Sequence, residues 1–189
     1  MTRIIGGYAG SLRLGSPAKS TRPTSDRIRE SIFSRLEARD ALTGAVVLDL
    51  YAGTGALALE AISRGAVAAL LVERDGKAAA VCVQNSQLVQ KALAKQEIEV
   101  ETKVVNKAVA SYLATANHKF DLVFIDPPYE VSTAEVEANL ADLLAKLNDD
   151  ATVIVERSSR SEKLNVPEGY ELEDTKNYGD TEVFWLIKN

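Results

Sequence analysis

Cysteine and histidine are nearly missing from this chain, and the two absences remove whole classes of function. Cys82 is the sole cysteine, so no internal disulfide can form, and His118 is the sole histidine, set between Asn117 and Lys119 in a polar stretch. Metal centres draw several ligands from these residue types, and no metal is expected here. Cys82 lies in a run of helical spacing and is expected in the core rather than as a reactive thiol; His118 is expected on an exposed loop. No apolar run approaches the roughly 20 residues of a membrane helix, and no secretory leader is recognisable. The expectation is a cytoplasmic protein without a membrane partner. Repeats, low-complexity tracts and dividing linkers are also missing. Acidic residues are missing from one place only: none precedes Asp26, although the whole chain carries 27 of them against 22 basic residues.

What remains suits one compact enzyme domain. With 189 residues, 46% of them hydrophobic, the chain can bury a full core. Apolar runs at 45–50, 67–72, 98–105, 120–125 and 151–156 alternate with helical spacing at 56–64, 76–94, 106–115 and 133–146. Repeated βα units of this length require a mostly parallel sheet covered by helices on both faces, an α/β fold. The end departs from that pattern. Residues 170–176 and 182–187 face each other across Asn177-Tyr178-Gly179-Asp180-Thr181 and predict an antiparallel hairpin. Ahead of the first strand, Ile28, Ile32, Phe33 and Leu36 share one helical face, with Thr24, Ser25 or Asp26 available as the cap.

Residues 1–23 read as a basic arm ahead of a domain at 24–189. Arg3, Arg13, Lys19 and Arg22 are the arm's charges, and purely basic arms contact phosphates, so a nucleic acid is the expected partner. Short runs at 3–7 and 11–14, separated by Gly7-Tyr8-Ala9-Gly10, predict a hairpin. Pro23 makes a stiff corner between arm and domain.

Asp126-Pro127-Pro128-Tyr129 follows the strand at 120–125 directly. Two prolines fix φ near −65° and donate no N–H, so the turn is stiff and its carbonyls point in set directions. Asp126 offers an anionic acceptor, the Pro127 carbonyl a neutral one, and Tyr129 a flat face on which a base can stack. An amino group conjugated to a planar ring fits all three. A rigid turn with a packed tyrosine is the plainer alternative.

The strand at 45–50 ends in Tyr51-Ala52-Gly53-Thr54-Gly55, and helical spacing resumes at Ala56. Strand, glycine loop and helix in that order let a ligand approach the backbone closely. Glu73 ends the second strand, placed to bind both hydroxyls of a ribose. The third glycine of the dinucleotide pattern is absent, and Asp49 faces the place of a pyrophosphate. A carboxylate there repels a diphosphate and suits an ammonium group. S-adenosylmethionine fits, so the two sites together point to a methyl donor and an amine acceptor.

Thr21-Arg22-Pro23-Thr24-Ser25-Asp26-Arg27-Ile28-Arg29-Glu30-Ser31-Ile32-Phe33, the segment from Leu48 to Leu57, Glu60-Ala61-Ile62-Ser63-Arg64-Gly65-Ala66, Asp126-Pro127-Pro128-Tyr129 and Tyr178-Gly179-Asp180 resemble one bacterial family. That family methylates a guanine N2 in 16S ribosomal RNA. Thr54 stands where serine is frequent and Ile62 where leucine is. The resemblance implies a class I S-adenosylmethionine-dependent, Rossmann-like methyltransferase fold with seven strands, the last inserted antiparallel. It implies S-adenosylmethionine as donor and 16S RNA, in a partly assembled 30S subunit, as partner; a monomer is expected. Carried over by position, the cofactor set is Asp49, Tyr51, Gly53, Gly55, Glu73 and Arg74, with Asn106 near the adenine and Arg29 in the segment that closes over the methionine end. Asn106 could equally be a helix cap. Asp126, Pro127 and Tyr129 are the catalytic set; Arg3, Arg13, Lys19 and Arg22 are expected to meet the RNA. Arg64 and Gly65 also make sense as an ion pair with Glu60 and a helix end. Glu156, at the end of its strand, borders the base pocket or pairs with a nearby arginine.

Three rivals remain at this level. An oxidoreductase using a nicotinamide dinucleotide shares the strand, loop and helix but leaves the Asp-Pro-Pro-Tyr turn unexplained. A ribosome-assembly factor that only binds has no use for Asp126. A methyltransferase acting on adenine N6 or on a glutamine amide presents the same kind of amine.

Overall fold

The computed structural model describes residues 2–16 and 25–189. Lys19, Arg22, the Pro23 corner and Thr24 lie outside the described residues. Helix α1 (Asp26–Ala38) starts at Ser25, whose side chain accepts from Ile28 N at 3.3 Å, so of the three candidate caps Ser25 serves. Five parallel strands follow: β1 (Val46–Leu50), β2 (Ala68–Val72), β3 (Glu101–Val105), β4 (Phe120–Ile125) and β5 (Leu147–Ser158). Between them run α2 (Ala56–Ser63), α3 (Gly76–Ala94), α4 (Val109–Leu113) and α5 (Thr133–Leu143). The chain closes with β6 (Tyr170–Tyr178) and β7 (Thr181–Lys188).

The sheet order is β3-β2-β1-β4-β5-β7-β6, with β7 antiparallel to both neighbours. This is the seven-stranded sheet with an inserted last strand that the resemblance implies. Side chains alternate faces along each strand. Val47, Leu122, Phe124 and Ile154 join one core cluster, while Leu48, Val123, Ile125 and Val155 join the other. Helix α1 covers the first face, where Phe33 lies with its ring centroid 5.7 Å from that of Phe124.

Several boundaries differ from expectation, each for a local reason. β3 begins at Glu101 rather than 98, because β2, its ladder partner among the described residues, offers five residues. α4 is five residues long: Ala108 is still extended (ψ 145°), and the Asn106 side chain is bound elsewhere. The helix after β4 tightens into a 3-10 turn at Leu144–Lys146. The final turn has two residues instead of five, since Tyr178 pairs with Thr181 and Gly179 takes φ 61°, a conformation open to glycine at little cost.

The N-terminal hairpin forms around a single bridge, Arg3 to Arg13, with Ile4 N donating to Leu12 O at 2.9 Å and Ser11 N to Ile4 O at 2.8 Å. It does not stand apart: Ile4, Ala9 and Leu14 are buried in the core cluster of the α1 face. Its polar anchor is Glu60, a fully buried carboxylate that accepts from Ile5 N at 2.6 Å, Gly6 N at 2.8 Å and Arg64 Nε at 2.7 Å. Burying a charge is tolerable only with such donors. Gly7 runs so close to α2 that a Cβ there would lie 2.0 Å from Ser63 O. No helix among the described residues is long and apolar enough to cross a membrane.

Candidate active site

The strand order reverses between β1 and β4, since the chain fills one side of β1 before crossing to the other. Crevices form at the carboxyl ends of strands at such a point. Leu50 is in register with Ile125, so Tyr51 and Asp126 leave the sheet side by side. The glycine loop and the Asp-Pro-Pro-Tyr turn therefore open onto one cavity of about 570 Å³. It is lined by Arg29, Asp49, Tyr51, Gly53, Glu73 and Arg74 on one side, and by Asp126, Pro127 and Tyr129 on the other.

Asp49 is 1% exposed and accepts from Ala58 N at 3.2 Å, capping α2 in place of Gly55, which has no side chain to do so. Burial, helped by the nearby charges of Asp126 and Glu73, pushes its carboxyl up to about 8. Tyr51 takes φ 68°, strained for a side-chain-bearing residue. Asn139 and Glu135 of α5 hold it there: its hydroxyl accepts from Asn139 Nδ2 at 2.7 Å and donates to Glu135 Oε1 at 3.4 Å. Burial pushes that hydroxyl up to about 12, so it stays protonated.

Glu73 ties two loops together, accepting from Gly53 N and from Asp75 N at 2.8 Å each. Gly53 (φ +54°) has open space where a Cβ would stand. Gly55 does not line the cavity: a Cβ there would press on Cys82 Sγ and Leu71 Cδ2 at 2.9 Å, so its smallness serves packing behind the loop. The Cys82 thiol is buried, and burial raises it well above the ordinary thiol range. Asn106 also stands off the cavity surface, donating to the carbonyls of Glu73 at 2.8 Å and Arg74 at 3.0 Å. It buttresses the loop after β2 and caps no helix; the N-cap of α4 is Ala108.

Arg29 is 1% exposed. One amino group donates to Asp26 at 2.7 Å; Nε and Nη1 are buried without a hydrogen-bond partner, although Nη1 lies 4.0 Å from the buried Glu60 carboxylate in an ion pair. Such orphan donors are destabilising unless a ligand satisfies them. Tyr129 is 70% exposed, its ring at the mouth of the cavity. Beyond Asp126 the wall continues with Glu156 and Arg157 of β5, and Arg157 Nη2 donates to Val131 O at 3.1 Å, holding the chain just past the double proline. Burial keeps the Arg157 guanidinium below its ordinary value. Seven carboxylates and three guanidinium groups line the cavity, a balance that favours a cationic ligand over a diphosphate.

Arg3 and Arg13 lie outside the cavity, exposed on the hairpin. Arg64 makes the expected ion pair with Glu60 and a second with Glu37 at 2.9 Å. Motif reading places Glu60 opposite Arg64 but misses its hold on the hairpin backbone, and it misses the hold of Arg157 on the chain after the double proline. Glu60 carries a faint signal, a lone acid among Leu57, Leu59, Ala61 and Ile62 on a short helix.

The family described as "Conserved hypothetical protein 95" matches residues 2–187. The ribosomal RNA small subunit methyltransferase D of Escherichia coli K12 is 34% identical over 178 residues, 94% of this chain and 85% of that one. A solved Escherichia coli structure, yhhF, provisionally named a methyltransferase, superposes with a TM-score of 0.83 at 30% identity, covering 100% of this chain and 98% of that chain. The magnesium protoporphyrin IX methyltransferase ChlM of Synechocystis, solved with bound SAM, shares the fold alone, with a TM-score of 0.65 at 16% identity over 86% of this chain and 79% of that chain. With its match running almost from end to end, this chain belongs to the conserved hypothetical protein 95 family, the family of ribosomal RNA small subunit methyltransferase D.

Proposed function

We propose that this protein transfers a methyl group from S-adenosylmethionine to the exocyclic N2 amine of a guanine in 16S ribosomal RNA, acting in the cytoplasm on a partly assembled small subunit. The observation that carries the reading is the meeting of the glycine loop and the Asp-Pro-Pro-Tyr turn in one cavity at the β1/β4 reversal. The name of the Escherichia coli relative supports the RNA substrate.

The cavity fits the donor on three counts. Asp49 is a buried carboxyl that burial keeps protonated in the free protein, and an ammonium group beside it favours the ionised form and becomes its counter-cation. The orphan N–H groups of Arg29 suit a carboxylate. Glu73 keeps lone pairs for ribose hydroxyls beside the open space at Gly53. When bound, the donor supplies a methyl carbon on a sulfonium leaving group. The protein's own residues act on the amine. Its lone pair is delocalised into the ring; hydrogen bonds to the Asp126 carboxylate and the Pro127 carbonyl draw its hydrogens out of conjugation and aim the lone pair at the methyl. Alignment and electrostatic support of the charge arising on nitrogen then lower the barrier. The exposed ring of Tyr129 stacks the base, which must come from a loop or be flipped out. A comparison of modified nucleotides in 16S RNA from cells with and without the gene tests the reading; an identical set in both overturns it.

Glu73→Ala is expected to weaken S-adenosylmethionine binding by about 1–3 kcal/mol, the range for losing hydrogen bonds to a charged group. Calorimetric titration measures this, and an unchanged dissociation constant removes Glu73 from the donor site.

The hairpin is the proposed RNA contact. Arg3 and Arg13 sit opposite each other across its bridge, where like charges repel unless an anion lies between them. Among the described residues Arg3 pairs with Asp26 at 3.5 Å, an exposed pair that contributes little. Changing both arginines to alanine is expected to weaken RNA binding and flatten the slope of log affinity against log salt by about two units. Binding of free S-adenosylmethionine stays as it was. An unaltered slope moves the contact to Arg160, whose side chain is 82% exposed, since Arg64 and Arg157 are enclosed.

A further inference from the structure

We infer that Glu156 is the residue that makes the acceptor side of the cavity read guanine and refuse adenine and glutamine amides. The inference rests on the methyl-transfer reading above and deepens it. Ile125 and Val155 are in register on neighbouring parallel strands, so the next residues, Asp126 and Glu156, stand side by side where β4 ends; Glu156 does not end its own strand, since β5 runs on to Ser158 against β7. Adjacent strands are about 4.8 Å apart. Strand alternation sends Glu156 to the face of Ile154, not of Val155, and its partner across the β5/β7 ladder, Val183, belongs to that same face. Both carboxylates line the one cavity, and Glu156 is 5% exposed. The glycine loop and Glu73 lie on β1 and β2, so Glu156 is one strand further from the donor than Asp126. A base held with its amine on Asp126 meets Glu156 with whatever atom comes next along its edge.

That neighbouring atom differs among the candidate amines. In guanine N2 is flanked by N1–H, a donor, so two adjacent carboxylates face two adjacent donor groups. In adenine N6 is flanked by N1, a bare acceptor, and in a glutamine amide the nitrogen is flanked by a carbonyl oxygen. Either would set a lone pair against the Glu156 carboxylate. Shielded from bulk water, that mismatch is severe, because a site built around a hydrogen bond rejects strongly the ligand that cannot make it.

The test uses RNA carrying either guanine or 2-aminopurine at the methylated position. The analogue keeps the 2-amino group but has an unprotonated N1. The wild-type protein is expected to prefer guanine by roughly 100-fold or more in kcat/KM. Glu156→Gln, whose amide can turn either its oxygen or its NH2 to N1, is expected to cut that preference to below about tenfold, partly through a gain on 2-aminopurine. A merely structural role would lower both rates together and leave their ratio untouched, and the ratio does not depend on how much of the variant folds. An unchanged ratio in the variant, or a wild-type protein that accepts both bases equally, overturns the assignment of Glu156. A wild-type protein that methylates neither RNA overturns the guanine-N2 reading and this inference with it.

Discussion

Asp126→Ala is expected to lower the rate of methyl transfer by roughly a thousandfold while leaving the dissociation constant of S-adenosylmethionine within a few-fold of its starting value. The split follows from position. Asp126 leaves β4 next to Tyr51, on the border between the donor and acceptor sides of the cavity, and none of the cofactor's recognisable groups needs it: Asp49, Arg29 and Glu73 already answer the ammonium, the carboxylate and the ribose. What Asp126 alone supplies is an anionic acceptor fixed by two prolines. Without it the amine keeps its lone pair in the ring. Single-turnover rates beside calorimetric binding separate the two effects. A folded variant with near-parental turnover contradicts the mechanism, and one that has lost the donor places Asp126 in the cofactor site instead.

Asp49→Asn is expected to move stability and binding in opposite directions. The Asp49 carboxyl ionises near 3.8 when exposed and at about 8 when folded, a raised value. Its contribution to stability is therefore fully present below about pH 4 and is lost as pH rises towards 8, because the unfolded chain gives up the proton while the folded one must keep it. Near pH 8 the loss is of order 5 kcal/mol. Asparagine can still accept from Ala58 N and has no proton to keep, so the ligand-free variant should be more stable than the parent by about 2–4 kcal/mol at pH 8 and no more stable at pH 4. Its affinity for S-adenosylmethionine should fall tenfold or more with the loss of the counter-charge. Denaturant unfolding at several pH values is the measurement. Equal stability at pH 8 means that burial does not hold a proton on Asp49, and undiminished affinity means that Asp49 is not the ammonium partner.

Much of this was legible before the structure. The apolar runs that became β1, β2 and β4 are uniform and bounded by glycine, proline or acidic residues, and α3 spans 76–94 as its spacing predicts, capped by Asp75; β5 outruns its apolar stretch 151–156, reaching from Leu147 to Ser158 because β4 and β7 pair with its polar ends. Local patterns of that kind survive folding because tertiary contacts agree with them. What could not be read are the choices settled by residues far apart. The glycine loop shows that a ligand can come close, but only the packing of Cys82 and Leu71 shows that Gly55 serves the interior while Gly53 serves the cavity. Asn106 resembles a cap until its amide is seen holding Glu73 and Arg74 in place. The first residues looked like a free basic arm. Glu60, more than fifty positions away, takes their backbone N–H groups and seats the hairpin in the core.

The most direct test incubates the purified protein with methyl-labelled S-adenosylmethionine and small-subunit particles from cells lacking it, then digests the RNA to nucleosides. Label in N2-methylguanosine, absent when Asp126→Ala replaces the parent, is the predicted result. Label in an adenosine, in a ribosomal protein, or in no product at all would contradict it.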